Sequence, residues 1–370
     1  MLVPSVALVV LAAGVAIPLA VADSPAAAPC HQVPASVRAL AGDPSAAAEA
    51  LDPGDDLRHL GSARKLLAHE TVCGDGAGVL GRVAEAATRS SGGRGEPHGM
   101  AQARSAYAVA ALRDIELPEG LAPGVARMVA EYVVDAGRDD GPGIDDVTGP
   151  ALPASQARLG KDGWVRLGRF LAPGEAHAAF EYADRTRDAD ADIPDLVAEL
   201  AKDPEAFAIL YDAERAYLAH YLERLTDQGG DPHHRPDRPR DKRFRTSATD
   251  WPDIDLRHLA DRVGTLMKLR TRYAKDGTIP DLAAFDRAVR EHSRGTYRPA
   301  DRRLGTRPPM GDIADRRTAG PVRGDLMDGR QQLFVVFDAW AKERGVPDRR
   351  AGAMRQLLDD SYVRALWLRF

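Results

Sequence analysis

The chain is short of cysteine, of lysine, of aromatic residues and of alternating β-branched runs. Each shortage narrows what it is. Two cysteines in 370 residues exclude both a disulfide-dense scaffold and a cysteine-built zinc site. Only seven of the 50 basic residues are lysine: Lys65, Lys161, Lys202, Lys242, Lys268, Lys275 and Lys342. Arginine, alanine, glycine and proline all have GC-rich codons, so this bias follows from a GC-rich genome and an arginine cluster alone says little. The near absence of strict apolar–polar alternation argues against a β-sandwich or barrel. A Gly-x-Ser-x-Gly elbow, a phosphate loop, a dinucleotide fingerprint and a His-Glu-x-x-His pair are all missing. A net charge of -5 excludes polyanion binding by bulk charge. What is present, 44% hydrophobic and 28% charged residues, fits a globular protein with a packed core and not a disordered one.

One long apolar run stands out. Residues 2–22 are almost continuously apolar and end in Ala20-Val21-Ala22, then Asp23-Ser24. Pro18 just upstream breaks a helix before the small-x-small pattern. This reads as a secretory signal peptide. No Lys or Arg precedes the run, so the alternative is an uncleaved anchor, for which about 20 apolar residues suffice. The protein is therefore expected to be secreted or held in the cell envelope. There, Cys30 and Cys73 pair most simply as one disulfide. The competing role is a Cys73 nucleophile with His69 one helical turn away, which lacks a third, orienting residue.

The remaining sequence reads as all-α. Helices are expected near 45–51, 55–70, 77–90, 98–114 and 121–133, the last with Arg127 and Glu131 paired on its outer face. A Pro/Gly-rich stretch, 139–155, divides an N-terminal helical domain (23–138) from a larger, irregular helical domain (156–370) with long Pro/Arg-rich loops. The second part is expected to carry helices at 173–187, 203–225, 253–273, 281–292, 327–344 and 348–369. Asp203-Pro204-Glu205 is a strong helix start: a capping carboxylate, a proline at the first position and an acid at the positive dipole end. The last two helices are apolar on more than one face, which predicts that the C-terminus lies inside the core.

Charge is unevenly spread. Residues 231–323 hold 22 basic and 14 acidic residues, net +8, so the rest of the chain is net -13. The functional reading is a docking surface for an anionic wall polymer, lipid head groups or an acidic protein, with Arg235, Arg238, Arg240, Lys242, Arg243 and Arg245 as its centre. The bland reading is that the segment packs on the acidic remainder. Nucleic acid is a weaker candidate, because the basic loops lack interleaved aromatics.

Three groups break local rules. Glu214 falls in the middle of the apolar stripe of helix 203–225, where an ionised carboxylate is costly unless paired. Either it is a general acid of a polysaccharide hydrolase, which needs a second carboxylate nearby, or it pairs in the core with Arg270. Asp188, Asp190 and Asp192, with Glu199 at the twelfth place, have the alternation of a calcium-wrapping loop; Ile193 stands where glycine is needed, and the competing reading is a solvated acidic helix start. Finally, His177, Glu181, Asp184 and Asp188 would share one face of helix 173–187, as metal ligands or as solvated residues. His233-His234 lacks a second ligand pair at zinc spacing. The leading expectation is an exported binding protein; the rival is a hydrolase using Glu214.

Overall fold

Helix-forming sequence between proline and aspartate start signals builds the fold. The structure, a computed structural model, describes residues 30–90, 95–112, 117–118, 120–137, 147–153, 172–184, 189–230, 251–300, 303–304 and 308–367, without the side chains of 251–253. The apolar run 2–22, Asp188, His233-His234 and the six basic residues from Arg235 to Arg245 lie outside them. The described helices in the first half are α1 (Ala35–Leu40), α2 (Pro44–Leu51), α3 (Leu60–Leu67), α4 (Gly76–Thr88), α5 (Met100–Ala110), α6 (Ala122–Glu131) and α7 (Val133–Ala136). The second half adds α8 (Ile193–Leu200), α9 (Pro204–Glu223), α10 (Trp251–Asp276), α11 (Leu282–His292), α12 (Met310–Ala314), α13 (Gly329–Arg344) and α14 (Asp348–Trp367). The fold is all-α. Asp43, Asp192, Asp203, Asp281 and Asp328 each cap the helix that follows by accepting a backbone N–H with a side-chain oxygen, which satisfies donors that a helix start leaves open. None of the described helices is long and apolar enough to cross a membrane.

Cys30 and Cys73 form a disulfide, with Cα atoms 5.2 Å apart, so Cys73 is not a free nucleophile. The backbone on either side is paired as well: His31 N–H donates to Thr71 O (2.8 Å) and Cys73 N–H to His31 O (2.9 Å). His69 stacks flat on His31, ring centres 3.5 Å apart.

The α9 helix is the axis of the molecule. It packs against α6, α10, α11, α12 and α13, so nearly its whole circumference is buried and not one stripe. Helices of both halves contribute to a single apolar cluster. The α4 and α6 helices cross where Gly81 meets Gly124; a Cβ on Gly124 would collide with the Gly81 backbone.

Two expectations about the elements fail. Residues 173–184, the described part of the expected helix 173–187, are not helical. Ala176–Ala178 (β2) pairs antiparallel with Ala151–Pro153 (β1), which lies inside the expected linker, and Ala183–Asp184 (β3) pairs with Ala189–Asp190 (β4). The cause is a distant carboxylate. Asp135 on α7 accepts from His177 Nδ1 and from the Ala178 N–H, both at 2.8 Å, and this fixes an extended backbone. His177, Glu181 and Asp184 therefore share no helical face. The last described helix departs from expectation only at its end. The α14 helix buries Met354, Leu358, Tyr362 and Ala365 against α10, but Trp367 is 79% exposed. Apolar residues on several faces do not ensure that every face is covered.

Candidate ligand cleft

The close α4–α6 crossing leaves a recess beyond it, roofed by α12, whose Met310 and Ile313 are buried. The recess is a cavity of about 530 Å³ lined by Arg82 and Glu85 of α4, Arg89 just after it, Glu131 of α6, Glu96 before α5, and Gly311, Asp312 and Asp315 at α12. A second cavity of about 220 Å³ shares Glu85, Arg89, Glu131 and Asp315 and runs on to His292 and Arg294.

Glu131 is the best-held group in this wall. Its Oε1 accepts from His98 Nε2 at 3.1 Å. Behind it, His98 Nδ1 meets Glu175 Oε1 at 2.5 Å, and the His98 backbone N–H donates to the same oxygen at 3.0 Å. His98 and Glu175 are fully enclosed, and the imidazole leans on the Tyr132 ring with centres 4.6 Å apart. Burial alone would lower the histidine pKa. The hydrogen bonds to Glu131 and Glu175 outweigh it and push the value up to about 9. At neutral pH His98 is thus an imidazolium donating from both nitrogens, the charged form that two carboxylates favour. Gly311 completes the arrangement: a Cβ there would come 2.5 Å from Glu131 Oε1, so a side chain at this position would have to displace the carboxylate.

Arg89 crosses the recess. It donates to Glu85 Oε1 (2.9 Å) and Asp315 Oδ2 (3.3 Å), and its Nε lies 3.8 Å from Glu131 Oε2. Arg127 ties Glu85 (3.5 Å) to Glu205 (2.6 Å). The expected surface pair of Arg127 and Glu131 does not form, because Glu131 turns inward to His98 and Arg127 toward α9.

The residues singled out from sequence lie elsewhere. Glu214 is 8% exposed and lines neither cavity. Its Oε1 accepts from Arg262 Nη2 at 2.5 Å, and the same guanidinium reaches Val133 O at 3.1 Å. The expected partner Arg270 instead holds Asp286 of α11, Nε to Oδ1 at 2.7 Å. Arg262 lies two turns earlier on α10, level with Glu214. Of the calcium candidates, Asp190 sits in β4, Asp192 Oδ1 caps α8 by accepting the Asp195 N–H (2.8 Å), and Glu199 accepts from Lys202 Nζ (2.5 Å). No group of three or more metal-ligating side chains occurs among the described residues.

Several basic residues of the described part of this stretch are paired within the fold, while others, such as Arg287, Arg317 and Arg323, are exposed. Arg316 Nη1 donates to Glu223 Oε2 at 2.8 Å, Arg298 lies 3.6 Å from Glu343 and Arg290 3.3 Å from Asp325. Arg294 donates to the carbonyl oxygens of Ala314 (2.5 Å) and Arg316 (2.6 Å). His98, Glu131 and Glu175 escaped the sequence reading because no spacing joins residues 33 and 77 positions apart. No protein-family model matches the chain, and no curated protein or solved structure gives a significant match.

Proposed function

We propose that the protein is an extracytoplasmic binding protein that holds a polar, hydroxyl-rich and amino-bearing ligand, of the amino-sugar class, in the cleft between α4, α6 and α12. The observation that supports this is Glu131, a cleft-wall carboxylate pinned from behind by the buried His98 imidazolium. A charged acceptor fixed in place needs no reorganisation to bind, which is where recognition gains over solvent. The wall of the larger cavity carries Glu85, Glu96, Glu131, Asp312 and Asp315 against Arg82 and Arg89. Its surplus of acceptors favours hydroxyl and ammonium donors and disfavours an anionic ligand. Export is supported by the 2–22 segment and by the disulfide, which persists in oxidising compartments.

Calorimetry with tetramers of glucosamine, N-acetylglucosamine and galacturonate tests the reading. Glucosamine tetramer is expected to bind best, with affinity reduced by salt and by Glu131→Gln, and with no reducing ends released. If none of the three binds, or galacturonate binds best, the proposal is wrong.

A further inference from the structure

We infer that Arg89 is a movable partition, and that the ligand is a linear chain lying past it through both cavities. This rests on the cleft being the ligand site. The two cavities have four residues in common, Glu85, Arg89, Glu131 and Asp315, so they are halves of one groove with a side chain across it. One half reaches Ala41 and Pro44 at the start of α2, and the other reaches His292 at the end of α11. A chain entering at one end has a way out at the other, whereas a single sugar would use only one half.

Arg89 is suited to move. Its side chain is 40% exposed, and its three carboxylate partners stand on separate elements at 2.9, 3.3 and 3.8 Å. The guanidiniums of Arg262 and Arg270, at 13% and 15% exposure, are instead enclosed and each doubly held, Arg262 by Glu214 and Val133 O and Arg270 by both carboxylate oxygens of Asp286. Exposed pairs hold an arginine only weakly. When Arg89 swings out, Glu131 and Asp315 lose a cation. An ammonium group on the ligand supplies one at the same place, so the charge balance of the groove is kept.

Chain length and the partition are tested together, with calorimetry on glucosamine monomer, dimer and tetramer. The full chain is expected to bind tetramer at least tenfold more tightly than monomer. Arg89→Gln keeps bulk and hydrogen bonding but removes the charge that anchors the partition. It is expected to tighten tetramer binding severalfold, to raise the ratio of tetramer to monomer affinity, and to keep a cooperative melting transition. If monomer and tetramer bind equally in the unaltered protein, the groove is not continuous and this inference fails while the cleft remains the site. Weaker tetramer binding by both Arg89→Gln and Arg89→Lys would make Arg89 a direct ligand contact and also overturn the partition. Failure of every oligomer to bind overturns the cleft reading itself.

Discussion

The buried imidazolium gives stability a measurable pH dependence. In the unfolded chain His98 has its ordinary pKa near 6.5; in the fold it is held at about 9. A raised pKa means that the native state binds the proton more tightly. The stabilisation is therefore complete below about pH 6.5 and is lost as pH rises through about 9. A shift of this size corresponds to about 3 kcal/mol, falling by about 1.4 kcal/mol per pH unit across that window. Few other groups of the fold compete there. Burial, with Arg316 and Arg224 close by, pushes His220 down to about 3, so its stabilisation is complete above about pH 6.5 and is lost as pH falls from 6.5 toward 3. The two histidines act on opposite sides of neutrality, and stability should peak near pH 6.5–7. Urea unfolding from pH 6 to 10 at constant ionic strength reads the alkaline limb. His98→Gln is the reference. It should be less stable at pH 7 by roughly 3–5 kcal/mol, because two buried carboxylates lose their shared cation, and it should lose the slope between pH 7 and 9. A flat profile in the unaltered protein, or an unchanged slope in His98→Gln, would refute the Glu131–His98–Glu175 argument.

Other substitutions separate packing from binding. Gly124→Ala drives a methyl into the Gly81 backbone, and as overpacking at a backbone contact it should cost about 1–3 kcal/mol or more; Gly352→Ala, with nothing within 4 Å, should add about 0.5–1 kcal/mol. Equal melting temperatures for the two would show that the α4–α6 crossing is misplaced. Glu214→Gln takes the negative charge away from Arg262 and should lower stability by about 1–3 kcal/mol, with calorimetric binding of glucosamine tetramer unchanged; lost binding at full stability would return Glu214 to a ligand site. Replacing both Cys30 and Cys73 with serine opens a loop spanning 43 residues and should cost about 4 kcal/mol by loop entropy, read as a lower urea midpoint.

What was legible in the sequence was local. The start of α9 was readable because Asp203, Pro204 and Glu205 act on backbone groups within one turn, and the Asp203 carboxylate does accept the Ala206 N–H (2.8 Å). The burial of Glu214 agrees with its helical phase, although almost every face of α9 is covered, and its partner was not readable, since phase says nothing about which residue of a facing helix lies level with it. Residues 176–178 have no strand signal of their own. Their extended backbone comes from Asp135, which lies 42 positions before His177. The cleft is the extreme case. Glu131 looked like an ordinary surface partner for Arg127, and only tertiary packing places His98 and Glu175 behind it. Trp367 shows the converse, an apolar position that the fold leaves uncovered.

The disulfide also sets a load path. Tension applied to the chain ahead of Cys30 crosses the covalent bridge to Cys73 and enters the body of the protein at α4. The α1, α2 and α3 helices lie within the bridged loop and carry none of that force. A pull that would otherwise peel these short helices away one by one meets instead the α4–α6 crossing, where two glycine backbones are in direct contact. Whatever holds the chain from its N-terminal side, mechanical failure is expected to begin at the cleft-bearing helices and not at the chain end.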